Sequence, residues 1–68
     1  MLKKYEVIFF KFHGILDTAE VLNHFRNKLT IRVRRPFCIG DVLSIKNCFG
    51  EVIEQQGCIV SIWFTESI

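Results

Sequence analysis

The chain has 68 residues, half of them apolar, with nine Lys or Arg against seven Asp or Glu. That length holds a single domain over residues 1–68 and excludes a second core or an inserted lid. The apolar share and the net charge of +2 exclude a disordered chain, and no apolar run approaches the ~18–20 residues of a membrane helix.

The kind of apolar residue points to strands. Ile, Val and Phe supply 22 residues, whereas alanine occurs once, at Ala19. β-Branched and aromatic side chains suit a pleated, half-buried surface, and strong helix formers are scarce. A domain near 60 residues buries only about 60% of its extended-chain surface, so a stabilising partner subunit is a reasonable expectation.

Residues 5–13 read Tyr-Glu-Val-Ile-Phe-Phe-Lys-Phe-His. Alternation puts Val7 and Phe9 on one face and Ile8, Phe10 and Phe12 on the other. Both faces are apolar, which predicts a strand covered on both sides. After Gly14, Asp17 and Glu20 form a capping-box pattern, with Leu16 and Val21 placed as a hydrophobic staple. Val21, Leu22 and Phe25 follow at helical spacing, and Arg26 and Lys28 suit a helix C-terminus. One helix over about residues 18–28 is therefore predicted.

From Leu29 the pattern alternates cleanly: Leu29, Ile31 and Val33 inward, Thr30, Arg32 and Arg34 outward. Pro36 ends that strand near Arg35. A turn at Gly40-Asp41 leads to a strand over residues 42–46, with Leu43 and Ile45 inward. A turn over residues 47–50 and a strand over 51–55 come next. Gln56-Gly57 turns again into a last strand over 58–65, with Cys58, Val60, Ile62 and Phe64 on one face and Ile59, Ser61, Trp63 and Thr65 on the other. The expected order is β-α-β-β-β-β, an α+β or mainly β domain. Short strands with turn signals every 8–12 residues suggest a small barrel or a strongly bent sheet.

The run from Arg35 to Glu54 carries a pattern: Arg35-Pro36-Phe37, the apolar Ile39, Gly40-Asp41, alternating Leu43 and Ile45, then Gly50 and Val52. It resembles the β-domain signature of small-conductance mechanosensitive channels, an Sm-like barrel related in shape to Src-homology-3-like barrels. The resemblance covers about 20 residues and implies a barrel. The pore helices of that family have no counterpart in these 68 residues, so no channel role is expected.

Chemistry is sparse. Cys38, Cys48 and Cys58 are an odd set, which cannot form a complete intramolecular disulfide framework. Neither their spacing nor that of His13 and His24 makes a zinc half-site. Free, buried thiols in a reducing, cytoplasmic setting are expected, and no secretory signal is visible. No nucleophile motif, phosphate loop or metal cluster occurs, so neither catalysis, metal nor cofactor is expected. His13 and His24 flank the strand–helix junction and could meet in space. Asp41 is expected to bond the backbone of its own turn.

Charge divides the chain. Residues 1–35 hold eight basic and three acidic side chains, residues 36–68 one basic and four acidic. Arg26, Lys28, Arg32, Arg34 and Arg35 crowd into ten residues, a candidate patch for phosphates. Phe9, Ile59 and Trp63 are candidate interface residues, because one small core cannot easily cover both faces of the first and last strands. The sequence reading is a non-enzymatic module that binds itself, a host protein or both, with no membrane partner. A phage- or plasmid-type accessory inhibitor would suit this size. The alternative is a nucleic-acid-binding barrel that uses residues 26–35.

Overall fold

Four two-residue loops shape the backbone. The computed structural model describes residues 1–66 and 68. Its strands are β1 (Val7–Phe12), β2 (Ile15–Phe25), β3 (Lys28–Arg32), β4 (Val42–Ile45), β5 (Cys48–Gln56) and β6 (Ile59–Phe64). The β1–β2 loop is His13-Gly14, with φ of 52° and 77°. The β4–β5 loop is Lys46-Asn47, with φ of 51° and 64°. Positive φ at both positions is the type I′ geometry, whose twist matches that of the flanking strands. In the β2–β3 and β5–β6 loops only the first residue, Arg26 or Gly57, has positive φ.

The strands form one closed barrel in the spatial order β1-β2-β3-β6-β5-β4, all antiparallel. Closure is made by β4 against β1, where Lys11 lies opposite Ser44. Two three-stranded meanders are thus joined by one crossover, residues 33–41, over an end of the barrel. Gly40, at φ 96°, makes the corner there. Its N–H donates to the Val52 carbonyl, and the Asp41 carbonyl accepts from the Val52 N–H.

Alternation fills the interior. Leu29, Ile31, Leu43, Val60, Ile62 and Phe64 are all fully buried, as the sequence pattern requires. Ser61 points outward yet is buried, because its hydroxyl meets that of Thr30 at 2.8 Å on the neighbouring strand.

The expected helix over 18–28 is instead most of β2, the Arg26-Asn27 loop and the first residue of β3. The reason is a β-bulge at Leu22, the extra residue between Val21 and Asn23. Ala19 and Val21 face inward, and after the bulge His24 does so. The bulge shifts the alternation by one residue, so a strand presents apolar positions at spacings that imitate a helix. The capping-box residues serve the sheet: Asp17 Oδ1 accepts the Thr18 N–H at 2.8 Å, and Glu20 pairs with Arg32 of β3. The observed order is therefore six strands.

Other expectations are also revised. β1 is covered on one face only, with Val7 and Phe9 exposed. The turn expected over 47–50 is displaced to Lys46-Asn47, which brings Phe49 and Gly50 into β5. Among the cysteines, Cys38 is exposed and Cys48 and Cys58 are half-buried; all three are free.

The N-terminal segment is tied down through His24, which is buried. Its Nδ1 accepts the Leu2 N–H at 2.9 Å and its Nε2–H donates to the Arg26 carbonyl at 3.1 Å. Both ring nitrogens of the neutral imidazole are thus satisfied. Leu2 lies in the core as a result.

Gly50 faces this core without a positive φ. A Cβ there would overlap Ile62 and sit 2.7 Å from the Phe64 ring. Gly50→Ala is expected to cost about 1–3 kcal/mol through overpacking, read as a lower urea midpoint. In the Ile62→Ala background, which removes the closest contact, the same change should cost less. Equal cost in both backgrounds would contradict the steric account.

Candidate binding surfaces

The outer surface of the barrel has two contrasting faces. On β2 and β3 the outward residues include Thr18, Glu20, Thr30 and Arg32. Charges on this side are matched: Arg32 pairs with Glu20, Arg34 Nε lies 3.4 Å from Asp17 Oδ1, and Lys28 Nζ lies 2.8 Å from Glu54 Oε1. The strand order sets β5 and β4 opposite β2 and β3. There the outward residues include Val42, Phe49 and Ile53, all exposed. Phe9 of β1 and Ile59 and Trp63 of β6 extend the apolar wall on either side.

Register holds the wall together. Leu16, Lys11, Ser44 and Phe49 lie side by side across β2, β1, β4 and β5. A second row sets Val42, Glu51, Trp63 and Lys28 across β4, β5, β6 and β3. Phe9 is 62% and Phe49 69% exposed, and Trp63 is 48% exposed. Large aromatic side chains left this open on one face are uncommon in a monomer. Lys11, Lys46 and Glu51 stand among them without an ion pair among the described residues.

Phe9, Ile59 and Trp63, the interface candidates of the sequence, all lie on the outside of the barrel. Val42 and Phe49 were not singled out. Asn47 is the available signal, since a two-residue loop that ends on it sets Phe49 opposite Ser44 on the same face.

The five basic residues do not form one open patch. Lys28, Arg32 and Arg34 are held by carboxylates, and Arg26 lies in the β2–β3 loop with its guanidinium 5.3 Å from the Phe25 ring centroid. Arg35 lies beyond β3, at the other end of the barrel. At that mouth Phe10, Phe12, His13, Ile15, Arg35 and Phe37 line an open cleft of ≈ 230 Å³. Phe37 plugs the barrel end, with its ring edge-on to Phe12 at 4.9 Å and to Phe10 at 5.8 Å. Asp41 Oδ2 accepts the Cys38 N–H at 2.8 Å, so it fixes the crossover loop as expected of a turn aspartate.

His13 and His24 sit at opposite ends of β2 and do not meet. Among the described residues no group of three His, Cys, Asp or Glu side chains could hold a metal ion, and no helix is long and apolar enough to cross a membrane. Comparison with family models, curated proteins and solved structures finds no match for this chain.

The hydrogen bond from Lys28, and then its charge, hold the Glu54 carboxyl below the ordinary glutamate range. Because the folded value is depressed, this contribution to stability is present above the ordinary pKa and is lost as pH falls through the lowered one. An NMR titration of the Glu54 carboxyl carbon should give a midpoint below that of a free glutamate. Lys28→Met should raise it; an unmoved midpoint would mean that the pair does not form in solution.

Proposed function

We propose that this chain is a small non-enzymatic protein-binding module that associates with copies of itself through the outer wall of β4 and β5, flanked by β1 and β6. The observation that carries this reading is the contrast between the two faces. The centre of one face carries the Arg32–Glu20 and Arg34–Asp17 pairs, with Leu16 and Phe25 exposed only at the ends of β2, and the other offers Phe9, Val42, Phe49 and Trp63 to solvent. Aromatic residues are the side chains enriched at interface centres.

Barrel closure narrows the mode. A ring of strands has no long free edge to extend, so association proceeds through side chains. The wall also carries charges of both signs, Lys11 and Lys46 near β1 and Glu51 on β5. A two-fold contact uses the same patch twice. It sets Glu51 of one copy against the lysines of the other, which favours one register over others.

The Arg35–Glu54 resemblance supports grouping the barrel with Sm-like barrels, and the odd cysteine count supports a cytoplasmic setting. Nucleic-acid binding through Arg26, Lys28, Arg32, Arg34 and Arg35 is the weaker reading, because three of the five are neutralised by carboxylates. Occlusion of a host protein by a phage- or plasmid-type inhibitor would use the same wall.

Light scattering behind a sizing column separates these readings. A multiple of the 8.0 kDa chain mass is expected, retained at high salt because apolar burial is not screened. Phe49→Asp should return the species to the chain mass, and Arg32→Glu should leave the assembly intact. A wild-type chain of monomer mass at every concentration would end the self-association reading and assign the wall to a foreign protein.

A further inference from the structure

We infer that the cleft at the barrel mouth is a side-chain pocket for a protein segment that carries a bulky apolar residue beside an acidic one. This deepens the reading of the chain as a protein-binding module, on a surface separate from the β4–β5 wall. The cleft lies where the His13-Gly14 loop meets the crossover, and its base is made by Phe10, Phe12 and Phe37. These rings are locked edge-to-face, at 4.9 Å and 5.8 Å from Phe37. The His13 ring adds a wall 4.1 Å from Phe12. A preformed apolar base costs little reorganisation when an apolar group enters.

Size and charge select the occupant. The cleft, ≈ 230 Å³, is smaller than the ~300–1,000 Å³ of small-molecule and cofactor sites. It suits one large side chain. Of the charged groups on its rim, Asp17 faces Arg34 at 3.4 Å and also accepts the Thr18 N–H. Asp41 is turned into the loop, where it accepts the Cys38 N–H. Arg35 forms no ion pair among the described residues. Asp41 keeps its charge but has a hydrogen-bond donor, whereas the Arg35 guanidinium beside the aromatic base has neither an ion pair nor a hydrogen bond among the described residues, and it complements an aromatic or aliphatic anchor followed by a carboxylate. Arginine suits that role through its planar, forked donors.

The test is an amide NMR titration of the whole chain with three capped pentapeptides: Gly-Ser-Phe-Glu-Gly, Gly-Ser-Phe-Lys-Gly and Gly-Ser-Ala-Glu-Gly. The first should shift amides of His13, Phe37, Cys38 and Asp41. The alanine peptide should bind at least about tenfold more weakly, as loss of a buried aromatic side chain implies. The lysine peptide should bind about threefold more weakly, the scale of an exposed ion pair. Arg35→Gln, at an exposed position, should remove the preference for glutamate over lysine and keep that for phenylalanine. The monomeric Phe49→Asp chain should bind as wild type does, so failure of self-association would leave this result standing. Equal affinity for the three peptides, shifts centred away from the mouth, or no shift at all would overturn the proposal.

Discussion

Closure of the β-ladder into a ring governs everything else in this small molecule. Each strand is paired on both sides, so the direction of each side chain follows from alternation, reset at the irregularities at Leu22 and Ile53. What points inward must fill a narrow lumen, and what points outward must face solvent or a partner. The fit is tight enough that Gly50 faces Phe64 and Ile62 with no room for a Cβ. The crossover then caps one end with Phe37, and the Leu2–His24 hydrogen bond ties the N-terminal segment to β2.

The same constraint produces the two faces. A closed sheet this small cannot bury the outward residues of β1, β4, β5 and β6 under anything of its own. On β2 and β3 the middle of the face carries threonines and paired charges, and apolar exposure is confined to the strand ends, at Ile15, Leu16 and Phe25. On the opposite wall Phe9, Val42, Phe49 and Trp63 stand outward among a few charges, and they stay in water unless another molecule covers them. The binding reading therefore follows from topology as much as from composition.

Much of the architecture was legible in the sequence. The alternation of Leu29, Ile31 and Val33 and of Val60, Ile62 and Phe64 placed two strands and their inward faces correctly. Gly40-Asp41 marked a real corner. Two local irregularities hid the rest. The bulge at Leu22 moved the inward position from odd to even numbering, and a capping-box pattern at Asp17 and Glu20 reinforced a helical reading. The positive φ of Lys46 is unusual for a non-glycine residue, so the turn was placed too late and Phe49 was assigned to no face. The mouth cleft was invisible because it joins Phe10 and Phe12 to Phe37, residues brought together only by the crossover.

Trp63 is the sole tryptophan of the chain, and it lies on the wall to which association is assigned. Its fluorescence, with iodide quenching over a dilution series, reports directly on whether that wall is covered. Emission that is blue-shifted and shielded when concentrated, then red-shifted and quenchable on dilution, is the result expected. Emission that is fully quenchable at every concentration would contradict it, whatever mass the chain shows in solution.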